Sequence, residues 1–273
     1  MANEPVAAPV PPPGGASLEP RTVAPGRGVS WWEEGWRLFV PNVGAWLLIT
    51  VIVFCLQLAA SAVSGVLHLL PVLGQVLSTF LFSALTVLLA AGLMIGCRSI
   101  DRGNPLTIGH TFAAFSQRTQ PLLIVALIYT GLLLVVLVVV ALIMVALFGV
   151  AILGVLMSAA DPSHIGAAFG TIVSAILVAV LLFLLLWLPL VMMVWFAPAL
   201  VMLGGVEPWP AMMLSFRGCM KNFTPLLVYG AIGLGLAIVA SIPLLLGWLV
   251  LYPVTVATVY ASYCDIFEDK ETM

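Results

Sequence analysis

The charged residues that could do chemistry in this chain are few, and the densest group follows a long apolar stretch. Arg98 and Asp101 are three residues apart and can pair on one face of a helix, with Arg102 beside them. Gly103 and Pro105 come next and indicate a helix end, where cations stabilise the terminal carbonyl groups. The group is interpreted either as a stop and topology anchor or as a contact for lipid headgroups or a protein partner.

Arg37, Arg217 and Lys221 are interpreted in the same way, as candidate contacts for headgroups or a partner, because they lie in or directly after short segments that also carry aromatic residues. The candidate headgroup or partner contacts are Arg37, Arg98, Asp101, Arg102, Arg217 and Lys221.

Other chemistry-bearing residues form no recognised motif. The cysteines are Cys55, Cys97, Cys219 and Cys264, and no two of them form a C-x-x-C pair. His68, Asp161 and His164 have no ligand spacing and are interpreted as loop polarity, although their convergence would favour a metal or proton site. Motifs of zinc and serine hydrolases and of phosphate-binding loops are missing. We therefore expect no enzymatic activity, no cofactor and no metal site.

Composition defines the broad class of protein. Of 273 residues, 63% are hydrophobic and 7% are charged, whereas a soluble domain has about 25% charged residues. So few charged residues cannot cover the surface of a soluble domain of this size, so an integral membrane protein is predicted. The lack of a basic patch excludes a nucleic-acid binder.

The charges are separated by four uncharged stretches, 42–96, 119–160, 162–206 and 222–264. A membrane-spanning helix needs about 20 apolar residues. The first stretch is long enough for two helices divided at Pro71, and the last divides in the same way at 243–247. The predicted helices are 43–67, 72–97, 121–148, 166–196, 224–244 and 247–265.

The basic residues indicate the orientation of these helices. With six spans and an inside N-terminus, all nine Lys and Arg fall in 1–41, 98–120, 197–223 and 266–273. Because cytoplasmic loops concentrate Lys and Arg, both termini are predicted to be cytoplasmic. Residues 1–29 are rich in Pro and Gly and are predicted to be a disordered cytoplasmic tail.

A short segment precedes each predicted helix pair. In the first, Ser30 and Glu33 have capping-box spacing, which predicts a helix starting at Trp31. The other segments are 107–115 and 210–220, and all three are predicted to lie in the headgroup layer.

These segments align without gaps. Asn42 falls on Asn222, and Phe112 falls on Phe216. Three repeat units are predicted, 30–103, 107–205 and 208–269, together forming a transmembrane domain over 30–268. The expected fold is an all-α integral membrane fold with six transmembrane helices as three hairpins, each preceded by a short interfacial helix.

The predicted membrane interior contains only neutral polar groups. They are Gln57, Ser61, Ser64, Gln75, Ser83, Thr86, Ser174 and Thr255. Without charges at this depth, an ion-coupled transporter is disfavoured. Pro189, Pro198 and Pro253 are interpreted as kinks, with discontinuous helices as the alternative. Two GxxxG motifs, Gly92 to Gly96 and Gly166 to Gly170, predict close helix packing inside the bundle.

Four ordered motifs carry a resemblance. Residues 35–39 read GWRLF, 97–105 read CRSIDRGNP, 195–200 read WFAPAL and 260–267 read YASYCDIF. In the order of these four motifs the chain resembles a family of uncharacterised proteobacterial inner-membrane proteins. The resemblance covers about 30–268. The resemblance implies a bacterial inner membrane and a six-helix bundle, and it implies no catalytic residue.

Two function classes follow from these observations. The first is a non-enzymatic membrane protein that organises lipids or scaffolds a partner at the cytoplasmic face. The second is a channel or facilitator for a small or lipid-like solute, which requires a polar path through the bundle. Membrane lipids are the expected partners, with a protein partner at the cytoplasmic face as a candidate.

Overall fold

The computed structural model describes residues 18–158 and 165–268, and these residues contain helices and no strands. A single 3-10 turn occupies Val40–Asn42. The helices are α1 (Arg27–Phe39), α2 (Val43–Leu67), α3 (Pro71–Asp101), α4 (Ile108–Phe112), α5 (Ala114–Gln117), α6 (Thr119–Ser158), α7 (Ile165–Trp195), α8 (Ala197–Met202), α9 (Pro208–Lys221), α10 (Phe223–Ser241) and α11 (Trp248–Phe267).

Six helical stretches are long and apolar enough to cross a membrane, which identifies a multi-pass membrane protein. They contain α2, α3, α6, α7, α10 and α11, so the predicted number of spans is confirmed. The predicted 43–67 agrees with α2 at both ends, whereas α3 continues to Asp101 and α6 runs from Thr119 to Ser158. The predicted ends were too early, because α3 continues through the charged residues Arg98 and Asp101 and ends just before Gly103, and no proline interrupts α6.

Short connections bring the long helices together in antiparallel order. Residues 68–70 join α2 to α3, and 242–247 join α10 to α11. A Cβ atom at Gly74 would lie 1.8 Å from the Leu67 carbonyl oxygen, so the first turn requires glycine. The helices α6 and α7 also pack against each other. As a result α2, α6 and α10 begin, and α3, α7 and α11 end, at one end of the molecule, here called the basic end.

The core is concentrated at the basic end. Trp31, Phe196 and Tyr263 are fully buried there. The Phe196 and Phe267 rings lie 5.4 Å apart edge to face, and the Tyr263 and Phe267 rings stack at 5.7 Å. The helix α8, which was not predicted, is buried in this core with Pro198 in its first turn. Away from the basic end, α6, α7 and α10 expose most of their apolar side chains, as helices in lipid do.

The N-terminal prediction was wrong in two respects. The first helix begins at Arg27 with Gly26 as its N-cap, and Ser30 lies inside the helix without capping it. Residues 18–26, predicted as part of a disordered tail, pack on the bundle, where the Arg21 amide donates to the Ile266 carbonyl at 2.9 Å. Contacts with the far end of the chain order this segment, and local composition cannot indicate them. Residues 1–17 lie outside the described part of the chain.

The short helices pack more deeply than an interfacial position predicts. Trp31 and Trp32 of α1 were expected to face headgroups, but both are buried, and the Trp32 ring stacks on Tyr229 at 5.0 Å. Trp36 of the same helix is exposed. The second segment divides into α4 and α5, and Thr107 caps α4 in a capping box with His110.

Gly92 and Gly96 allow α4 to pack against α3. A Cβ atom at Gly92 would lie 2.4 Å from the Thr111 carbonyl oxygen, and one at Gly96 would lie 2.6 Å from the Leu106 side chain. Packing within the bundle is therefore confirmed at this motif. A Cβ atom at Gly170 would meet nothing within 4 Å, so close packing at the second motif is not observed there.

The backbone geometry between each short helix and the next long helix repeats three times. Asn42 has φ −130° and ψ 33°, Arg118 has φ −136° and ψ 34°, and Asn222 has φ −117° and ψ 33°. These three junction residues are the positions that the gap-free alignment of the segments superimposes. The alignment therefore relates positions with the same local structure.

At the basic end the helices fall into three groups, α1 to α3, α4 to α8 and α9 to α11, and the short helices join these groups in a closed ring. Each of these short helices packs on the helices that precede it, α4 on α3, and α9 on α7 and α8. The ring closes because α1 packs on α10 and α11. The junction residues follow the same cycle. Asn42 accepts the Leu106 amide at 3.3 Å, the Arg118 guanidinium lies against Gly205, and Asn222 accepts the Val23 amide at 2.8 Å.

Candidate functional site

An ion-pair cluster holds the ring closed at the basic end. Asp265 of α11 is 8% exposed and accepts hydrogen bonds from Arg27 Nε at 2.6 Å and Trp31 Nε1 at 3.1 Å. Arg27 also pairs with Glu34 at 2.8 Å. Because its carboxylate receives a cation and an indole N–H, Asp265 can remain charged in a mostly buried position. The cluster joins α1 to α11 across 238 residues of sequence.

A charged pocket of about 140 Å³ lies beside this cluster, between α1, α3 and α11. Arg37 and Asp101, both predicted candidates, line it together. The Tyr260 hydroxyl, also in the lining, donates to Asp101 at 3.1 Å. Two arginines and three carboxylates share this pocket, so it suits a small polar group better than an extended anion. Its full lining is Arg27, Glu34, Arg37, Leu38, Asp101, Tyr260, Ala261, Cys264 and Asp265.

The other predicted contact residues do not gather at this pocket. Arg98 forms an ion pair with Glu268, which joins the ends of α3 and α11. Lys221 donates to the Pro20 carbonyl at 3.0 Å and so holds the N-terminal segment. Arg102 and Arg217 are exposed on the surface of the basic end. The sequence did not predict Arg27, Glu34 and Asp265 as members of this site. For Asp265 one signal was present, since it is a single acidic residue directly after the uncharged stretch 222–264.

The cysteines are dispersed and two of them are buried. Cys97 and Cys219 are buried, Cys264 is half-buried and Cys55 is exposed. Burial raises the pKa of the Cys219 thiol to about 12, so it stays protonated and unreactive at neutral pH. Within the described residues no three His, Cys, Asp or Glu side chains come together as a metal site. His68 lies in the 68–70 turn, and Asp161 and His164 lie outside the described residues.

A partly open cavity of about 680 Å³, here called the central cavity, lies between α3, α6, α7, α8 and α11. Six hydroxyl-bearing residues interrupt its apolar wall: Thr79, Ser83, Thr86, Tyr129, Tyr252 and Thr255. None of the described residues in its lining is charged. The other lining residues are Phe82, Val87, Ala90, Met94, Leu133, Val191, Val194, Trp195, Pro198, Val256 and Val259.

Part of the predicted neutral polar set meets at this cavity. Ser83, Thr86 and Thr255 line it, and the Ser83 and Thr130 hydroxyls lie 2.7 Å apart. Gln57 donates to Thr86 at 3.2 Å from the α2 side and does not line the cavity. Gln75 is also absent from the lining. The result is a mainly apolar chamber with a few hydroxyl partners, which can hold an apolar molecule that carries an oxygen atom.

Comparison of the chain with protein-family models, with curated proteins and with solved structures gave no match. The fold and the central cavity define a helical multi-pass membrane protein.

Proposed function

We propose that this chain is a non-enzymatic protein of the bacterial inner membrane that organises lipids, with an acyl chain in the central cavity. The observation that carries the proposal is the size and chemistry of this cavity. It lies between membrane-spanning helices, where the surrounding solvent is hydrocarbon. Ligand cavities of roughly 300–1,000 Å³ with mainly apolar walls and few polar groups are typical of sites for small apolar molecules.

The surface of the basic end supports contact with lipid headgroups. Trp and other aromatic residues are enriched at membrane–water interfaces, and exposed arginines attract phosphate groups. Arg37, Arg102 and Arg217 are the predicted contacts that remain exposed. The exposed aromatic residues of the same end are Trp36, Phe112, Phe115, Trp209 and Phe223. On this proposal the short helices lie at the cytoplasmic interface with one face in the protein core, each ahead of a transmembrane hairpin.

Lipid retention tests the proposal. Native mass spectrometry of the full chain purified from its own membrane should show bound phospholipid. Ala90→Phe, which places a ring in the central cavity, should lower the bound fraction about tenfold, equivalent to 1.4 kcal/mol. Ala62→Phe on the exposed face of α2 is the matched control and should retain lipid. Absence of lipid from the wild-type protein, or equal retention in both variants, would contradict the proposal.

The hydroxyl groups in the cavity favour a second candidate function, a facilitator for a lipid-like solute. Ser83, Thr86 and Thr255 supply hydrogen-bond partners inside the membrane without a charge. A facilitator would move its solute across protein-containing vesicles, whereas an organiser would hold lipid without net movement. Flip of a labelled phospholipid in such vesicles separates the two functions.

The proposed orientation has a separate test. A periplasm-dependent reporter fused after Ala160 should be active, and the same reporter fused after Asn104 should be silent, because the basic end is proposed to be cytoplasmic. A cytoplasm-dependent reporter at the same two positions is the control and should give the opposite pattern. Activity after Asn104 and silence after Ala160 would invert the proposed topology.

A further inference from the structure

The short helices close the ring, but the long helices of neighbouring groups pack against each other at two of three equivalent seams and leave the third open. A seam is the contact between the second long helix of one group and the first long helix of the next. At two seams, α3 packs along α6 and α11 packs on α2. At the third, α7 and α10 make almost no contact over their described residues.

Burial at equivalent positions shows the same difference. Four residues after each junction residue stand Trp46, Leu122 and Leu226; the first two are fully buried and Leu226 is half-buried. Eight residues after the junction stand Thr50, Ala126 and Gly230; the first two are fully buried and Gly230 is exposed. The first helix of the third group therefore leaves uncovered a face that its counterparts bury.

A groove of about 270 Å³ occupies the open seam. Two helix faces line it, each with residues at helical spacing, and α9 closes one side through Cys219. Tyr229 of α10 also lines the groove, and none of the ten lining residues is charged. The α7 face consists of Leu188, Val191, Met192 and Trp195, and the α10 face of Phe223, Leu226, Leu227 and Gly230.

The groove and the central cavity share one wall. Val191 and Trp195 line both of them. Trp195 Nε1 is buried without an acceptor among the described residues, so moving this side chain breaks no hydrogen bond of its indole. Its ring meets Tyr229 edge to face at 6.1 Å. Val191 and Trp195 therefore lie between the groove and the cavity.

We infer that the seam between α7 and α10 is a lateral entrance through which a lipid acyl chain passes between the bilayer and the central cavity. The occupant is an acyl chain because the seam lies between two spanning helices and has no charged lining, so hydrocarbon is what meets it. Trp195 stands at the inner end of this entrance. The inference rests on the proposed lipid-binding function and adds the route and the class of ligand.

Gly230 allows a sharp test because a Cβ atom there would meet nothing within 4 Å. Gly230→Leu should extend an apolar side chain into the groove, because the Cβ atom itself meets no neighbour. Gly235→Leu, on the same helix and with equally open space, is the matched control outside the groove. The full chain is loaded with deuterated phospholipid, mixed with excess unlabelled phospholipid, and followed by native mass spectrometry.

Gly230→Leu should slow lipid exchange about tenfold while the bound fraction stays as in the wild type. Leu227→Phe, which fills the groove from an exposed position, should also slow exchange, and Trp195→Ala should accelerate it. Wild-type exchange in both groove-filling variants, or equal slowing in Gly235→Leu, would overturn the entrance and leave lipid binding intact. A wild-type protein that holds no lipid would instead overturn the proposed function together with this inference.

Discussion

Asp265→Ala should destabilise the folded protein by about 3 kcal/mol, because it removes the ion pair between α1 and α11 and leaves Arg27 with Glu34 as its remaining counter-charge. Asp265 receives both Arg27 and the Trp31 indole, so the variant also leaves a fully buried N–H without its acceptor. Arg27 is partly exposed, which keeps the loss at the lower end of the range for buried pairs. Unfolding in detergent micelles, followed by circular dichroism, measures the change.

Two further variants define the origin of this effect. Asp265→Asn retains an oxygen acceptor for Trp31 and loses the charge, so its loss should be intermediate. Glu33→Ala removes an exposed carboxylate from α1 and should change stability by less than about 0.5 kcal/mol. If Asp265→Ala unfolds with the wild-type midpoint, the cluster does not hold α1 on α11. Faster proteolysis within 18–26 in the alanine variant would locate the loosened contact at the N-terminal segment.

Gly28→Ala should destabilise the protein by about 2 kcal/mol, within the range for overpacked contacts. A Cβ atom at Gly28 would lie 2.3 Å from the Pro225 carbonyl oxygen and 3.0 Å from the Tyr229 amide nitrogen. Both atoms belong to the backbone of α10, so α1 must move away from that helix. The midpoint of thermal unfolding in micelles should fall accordingly.

Gly26→Ala is the matched control for this change. Gly26 caps the same helix with φ −63°, and a Cβ atom there meets nothing within 4 Å. Alanine at this position should leave stability unchanged or raise it slightly, because the unfolded chain loses freedom. Equal loss in both variants would show that helix initiation at α1, and not its packing on α10, determines the effect.

The spans were predictable because membrane crossing depends on local composition. The apolar stretch from Val43 to Leu67 needs no partner to identify it, and α2 has those bounds. The order of 18–26 was not predictable, because it depends on Asn222 and Ile266, which are about 200 and about 245 residues away from their partners in sequence. The burial of Trp31 was not predictable either, because an aromatic residue fits a headgroup layer as well as a protein core.

The site was predictable only in part, for a related reason. Spacing predicted that Arg98 and Asp101 share one helix face, but their partners are Glu268, directly after α11, and Tyr260 on α11. Arg37 and Asp101 do meet, at the charged pocket. No sequence signal predicted the central cavity, because the Val, Thr and Ala residues of its wall are equally typical of spanning helices that line no cavity. Its presence depends on how far apart the inner helices stand.

The closed ring has a consequence for the order in which the protein matures. The helix α1 leaves the ribosome before α10 and α11, which carry its docking surface. The loop that must close is most of the chain, so this contact costs more entropy than any contact between neighbouring helices. During insertion Trp31 and Trp32 have no protein partner, and the membrane surface is the apolar phase open to them. Docking of α1 therefore has to follow the synthesis of α11, and until then Trp31 and Trp32 lack the core that buries them in the folded protein.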